Sequence, residues 1–104
     1  MNAEEMVRQE REKAREKGYT VLHDQENHEP AVLARAGACY ADAAACEYEY
    51  ADYDKPHPFW PEEMGEFKTE MGEMEKIARA IGFLMSALDR ELIEIGMYTE
   101  PAND

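Results

Sequence analysis

The chain has 104 residues, enough for one small domain with a modest core. Its 24 acidic residues outnumber 11 basic ones, and the resulting net charge of −13 disfavours direct nucleic-acid binding and anionic membranes while suiting cations or basic protein surfaces. Aromatic residues at 10% and clear apolar periodicity exclude disorder of the whole chain.

Residues 3–17 predict a first helix, from Ala3 to Lys17. Asn2 with Glu5 resembles a capping box, and Gly18 stands where a C-terminal cap belongs. The segment carries five charges of each sign, so the whole −13 belongs to residues 18–104. Met6, Val7 and Ala14 are its few apolar residues, too few to bury a full face. The expectation is a solvated arm, or an element that docks on a neighbouring subunit. Residues 1–18 are therefore read as an arm, 19–96 as the helical core and 97–104 as a tail.

The next stretch is "HDQENHEP", residues 23 to 30. His23, Asp24 and His28 are nitrogen and oxygen donors of the kind zinc takes. Their spacing fits neither the i, i+4 pair of helical zinc sites nor a finger, and His57 stands alone. The stronger reading is helix entry: Asp24 or Asn27 accepts backbone N–H groups, and Asp24, Glu26 and Glu29 face the positive end of the following helix. On that reading no metal or other cofactor is expected.

Pro30 opens a second helix expected to run to Cys46, its missing N–H harmless in a first turn. Eight alanines keep this rod slim, and Val32, Leu33, Ala36, Cys39, Tyr40 and Ala43 trace one face. Cys39 and Cys46 lie seven apart, about 10 Å along a helix, too far to pair. They read as free thiols of a reducing cytoplasm. The charged opening residues lack a signal peptide's apolar core, and no apolar run is long enough to span a membrane.

Residues 47–61 form an acidic connector dense in rings and prolines, with Tyr48, Tyr50, Tyr53, His57, Phe59 and Trp60. These rings either cover helix ends or form a partner-binding platform, the first being the commoner use. Pro61 is expected to open a short helix from Glu62 to Met71. The final helix is the clearest element: Met74, Ile77, Ile81, Leu84, Leu88, Leu92 and Ile95 step by three or four until Gly96. That stripe is expected to bury itself on the second helix and on a second subunit. The fold class is thus all-α, a helical hairpin plus an N-terminal helix, in a homo-oligomer.

The run "GYTVLHDQENHEPAVLARAGACYA" resembles the signature of a family of small phage and prophage proteins with no established activity. Members show Gly-aromatic-Thr, then His-Asp, then an alanine-rich segment ending Ala-Cys-Tyr-Ala. Later come a Trp-Pro stretch (Trp60-Pro61), an aromatic-Lys pair (Phe67-Lys68), an early basic residue (Arg79) and an Asp-Arg pair (Asp89-Arg90). The similarity covers about residues 18–93. Two departures stand out: members place the second histidine nearer the first, and they are basic where residues 69–75 here are acidic.

The resemblance implies a phage accessory protein in the host cytoplasm. No Gly-rich phosphate loop, serine nucleophile motif or CxxC is present, so the expected function is non-catalytic: binding that blocks or sequesters a host component such as a defence factor. Its acidic surface would engage a host protein with a basic surface through Glu62, Glu63, Glu66, Glu70 and Glu73, with Tyr50, Tyr53 and Trp60 beside them. One alternative is a sponge for a small nucleotide signal, with Tyr19, Tyr40 and Trp60 stacking a base and Arg79 and Arg90 pairing phosphates. Another is a metal-assisted hydrolase built on His23, Asp24 and His28.

Overall fold

The computed structural model describes residues 1–45 and 59–100. Four α-helices form there: α1 (Ala3–Glu16), α2 (Val21–Asn27), α3 (Pro30–Ala45) and α4 (Glu73–Glu94), with a 3₁₀ turn at Glu62–Met64. No strand occurs among the described residues, so the chain is the small all-α bundle its periodicity predicts. Helices α3 and α4 pack along each other, and α1 and α2 both dock on α4.

The ends of α1 follow the predicted chemistry. Asn2 Oδ1 accepts from the Glu5 N–H at 3.0 Å, and Gly18 takes the left-handed conformation (φ 96°) just past the helix. The helix is not a solvated arm, however. Val7 and Glu10 are buried, and Arg11 reaches Asp89 on α4 at 2.7 Å. Arg79 on α4 lies 3.8 Å from the Glu10 carboxylate. A helix with few apolar residues docks here through charged ends and the aliphatic stems behind them. Helix α1 thus belongs to the same bundle as α3 and α4.

The predicted helix-entry turn is instead a helix of its own. Thr20 caps it, its Oγ1 accepting from the His23 N–H at 3.2 Å, while Asn27 Nδ2 donates back to the His23 carbonyl at 2.8 Å. Neither Asp24 nor Asn27 plays the capping role expected of it. Helix α3 starts at Pro30 as predicted and buries Leu33, Ala36, Cys39, Tyr40 and Ala43. Cys46, Tyr48, Tyr50, Tyr53 and His57 lie outside the described residues. The helix expected at Glu62–Met71 shrinks to the single 3₁₀ turn, because Gly65 adopts φ 76° and leaves helical space.

Helix α4 is present, but its large apolar stripe is not the core. The residues it buries are Lys76, Ala78, Ala80, Ala87 and Arg90. Met74 is 73% exposed, Leu88 60% and Ile95 66%, and Ile77, Ile81 and Leu84 are exposed as well. The cause is close approach of slim faces. A Cβ placed on Gly37 would lie 3.0 Å from the Ala80 carbonyl oxygen and 3.0 Å from Leu84 Cγ. Gly37 and Ala80 thus meet between α3 and α4 with Leu84 at the border of that contact, while Met74, Ile77, Ile81, Leu88 and Ile95 turn outward.

Gly37→Val is expected to destabilise the fold by about 1–3 kcal/mol, since the added methyls meet backbone across the interface. Urea melts would measure it against Ala38→Val on the exposed face of α3. Equal effects at the two positions would remove the close-approach account.

Candidate functional site

Helix α2 and its exit bring together the residues whose spacing fits no standard metal motif. His23, Asp24 and His28 each offer a ligand atom, all within 4.8 Å of one another. The helical spacing rule fails here because His28 has already left the helix, with φ −134° and ψ 134°. Its ring thereby lies 5.5 Å from that of His23, between centroids. Two contacts hold its backbone: the His28 N–H donates to the Asp24 carbonyl at 2.9 Å, and Arg90 Nε donates to the His28 carbonyl at 3.1 Å. Glu63 Oε2 sits 3.4 Å from His28 Nδ1, and the Tyr19 ring meets the His23 ring edge-on at 5.3 Å.

The acidic residues form a second feature. Glu62, Glu63, Glu66, Glu70 and Glu73 are all exposed. Glu62, Glu66 and Glu70 have no basic partner among the described residues, whereas Glu63 is turned toward His28. Glu73 stands in the first turn of α4, where a carboxylate favours the positive helix end. The segment between these residues is pinned by rings. Trp60 stacks on Phe67 at 4.6 Å and donates from Nε1 to the Gly65 carbonyl at 2.8 Å. Tyr50 and Tyr53, expected beside this surface, lie outside the described residues.

The residues expected to hold a nucleotide fall into two groups: Tyr40, Trp60 and Arg79 lie together, while Tyr19 and Arg90 stand by His23 and His28. Tyr40 is buried on α3, edge-on to Trp60 and Phe67 and stacked with Phe83 at 5.8 Å. Its hydroxyl donates to the Lys68 carbonyl at 2.8 Å and accepts from Arg79 Nη1 at 3.3 Å. Arg90 is buried, pairing Glu94 at 3.4 Å and holding the His28 carbonyl, while Tyr19 stands by His23. The rings and guanidiniums that reading needs are engaged within the fold.

Cys39 is a buried small residue, as its place on the alanine face suggests. Burial raises its thiol pKa first and the Asp42 carboxylate second, with Arg35 acting the other way. A thiol so placed is a poor nucleophile at neutral pH.

Sequence reasoning missed Glu63 and Arg90 as neighbours of His28. They lie 35 and 62 positions away in the chain, and no local pattern announces them. Thr20 carried a readable signal, a threonine just ahead of a helical run. No family model, curated protein or solved structure matches this chain. Among the described residues no helix is long and apolar enough to cross a membrane.

Proposed function

We propose that this chain is a non-catalytic binding protein of phage accessory type, which blocks or sequesters a basic host protein through the acidic surface at residues 62–73. The observation that carries this reading is the exposure of Glu62, Glu66 and Glu70 without a basic partner among the described residues. Structured proteins commonly pair or disperse such charges. A ring-anchored segment holding them together offers a fixed negative field to an incoming basic surface. The protein works in the host cytoplasm on this reading, and needs no cofactor for the contact.

The acting particle is a pair of identical chains, joined through the apolar stripe that α4 turns outward. Met74, Ile77, Ile81, Leu84 and Leu88 alternate steps of three and four, a spacing that meshes with a copy of itself. Such pairing puts two acidic segments on one particle, which raises avidity for a partner that both can engage at once.

Changing Glu62, Glu66 and Glu70 together to glutamine is expected to slow association with the basic partner far more than it speeds dissociation. Steering charges act on encounter, over a screening length of about 8 Å at physiological ionic strength. Candidate basic host proteins, immobilised and titrated at low and high salt, give the two rates. Full association by the triple variant, insensitive to salt, overturns the acidic-surface reading. Binding of a cyclic or linear signalling nucleotide that depends on Arg79 instead would favour the sponge.

A further inference from the structure

We propose that His23, Asp24 and His28 form a binding site for one divalent transition-metal ion of the zinc class, with Glu63 orienting His28. Two imidazoles and a carboxylate are the donors such an ion selects, and three protein ligands leave a position for water or an oxyanion. The acidic-surface reading does not enter this inference.

The distances support the assignment. His23 Nδ1 and Asp24 Oδ1 are 3.4 Å apart, which matches the edge of a tetrahedron, about 3.3 Å, when metal bonds are ~2.0–2.1 Å long. The widest separation within the three, 4.8 Å, closes to that edge by a side-chain movement of roughly 1.5 Å. The His28 ring is the one to move, because its backbone is fixed at the N–H by Asp24 and at the carbonyl by Arg90. Glu63 stands at His28 Nδ1, at 3.4 Å, in the position of the carboxylate that orients a metal-bound imidazole and leaves its other nitrogen for the ion.

Asp24 supplies an independent reason. The residue is buried, yet the only side-chain partner of its carboxylate among the described residues is the His23 ring. A buried carboxylate without a lysine or arginine is costly, and a cation in the pocket offsets that cost. The cation near this cluster, Arg90, is turned to the His28 carbonyl and to Glu94. Bound there, the ion joins the start and the end of α2, and through Glu63 it couples the helix to the 3₁₀ turn. That is a link between segments 35 positions apart.

Zinc chloride is the probe. The full-length protein, stripped with chelator and dialysed, is titrated by calorimetry and by competition with a chromophoric chelator. One zinc per chain with submicromolar affinity is expected. His28→Gln and Asp24→Asn should each weaken it at least ~100-fold, and Glu63→Gln by roughly 10-fold. Glu26→Gln, an exposed neighbour, should bind as the parent does. Zinc should raise the melting temperature of the parent and not that of Asp24→Asn, because only a folded-state site stabilises by mass action. Circular dichroism checks that the variants fold, and His23→Gln serves where one does not. Absence of stoichiometric zinc in the parent overturns the proposal. So does zinc held equally by His28→Gln and Asp24→Asn, which would place it elsewhere. Glu62, Glu66 and Glu70, the residues altered in the partner titration, are not ligands, so either idea can fail alone.

Discussion

On the proposed pairing, glutamate at both Ile77 and Leu88 is expected to leave each chain folded and to convert a particle of two chains into one of a single 12.0 kDa chain. Both side chains are at least half exposed, at 50% and 60%, so the substitutions touch little of the α3–α4 contact. Met74, Ile77, Ile81, Leu84, Met85, Leu88 and Ile95 together form the patch. At on the order of 100 Å² uncovered per large side chain, these residues leave roughly 700 Å², close to the ~800 Å² each partner contributes to a standard interface. A patch of that size exceeds what isolated monomers ordinarily show to water. Four glutamates brought into one twofold contact would have to be desolvated without partners, and the pair separates instead. Sedimentation equilibrium of parent and variant decides this. A parent that sediments as a single chain at every concentration up to the millimolar range removes the pairing. So does a folded variant that still sediments as two.

Helices α1, α3 and α4 were legible from residue pattern because their causes are local, whereas α2 was read as a turn. Asn2 and Gly18 bracket α1, Pro30 opens α3, and steps of three and four run through α4. What lies across from each face was not legible. The stripe from Met74 to Ile95 identifies a helix with an apolar side, but it does not say whether its own chain or another covers that side. Gly37 decided the matter: its missing Cβ lets α3 approach Ala80 closely enough that alanines make the contact. Helix α1 misled for the opposite reason. Its apolar residues are sparse, and the pairs that dock it, Arg11 with Asp89 and Glu10 with Arg79, join residues 78 and 69 positions apart.

The candidate site shows the same division. His23, Asp24 and His28 were visible as donors, and their spacing argued against them because it matches neither a pair on one helix nor a finger. A helix ending at Asn27 changes that geometry, and whether α2 continues past His28 is a tertiary matter, settled in part by Arg90 on the His28 carbonyl. Tyr40 was equally visible, as a ring on a slim helix face, yet its role depends on Trp60, Phe67 and Phe83, which converge only in the fold.

Tyr40→Ala is accordingly expected to destabilise the chain by about 3–5 kcal/mol, the range for removing a buried aromatic side chain. Tyr40 is 3% exposed and touches three other rings, so truncation opens a void bounded by α3, α4 and the segment from Trp60 to Lys68. Tyr40→Phe keeps the rings in contact and loses only the hydroxyl, which joins the Lys68 carbonyl to Arg79. That loss is expected to be about 1–2 kcal/mol, within the range for a buried hydrogen bond left without its partner. A domain of this size has roughly 5–15 kcal/mol in total, so the alanine variant sits near the limit of folding and the phenylalanine variant does not. Denaturant melts of both, at matched helicity in water, give the two values. The difference has a functional reading. The same cluster holds Trp60 and Phe67, between which Glu62, Glu63 and Glu66 are displayed. Tyr40→Ala should therefore impair binding to a basic partner even where it remains folded, while Tyr40→Phe should bind as the parent does. Equal binding by all three proteins would mean that the acidic segment acts through its charge alone, without the fixed geometry that the rings provide.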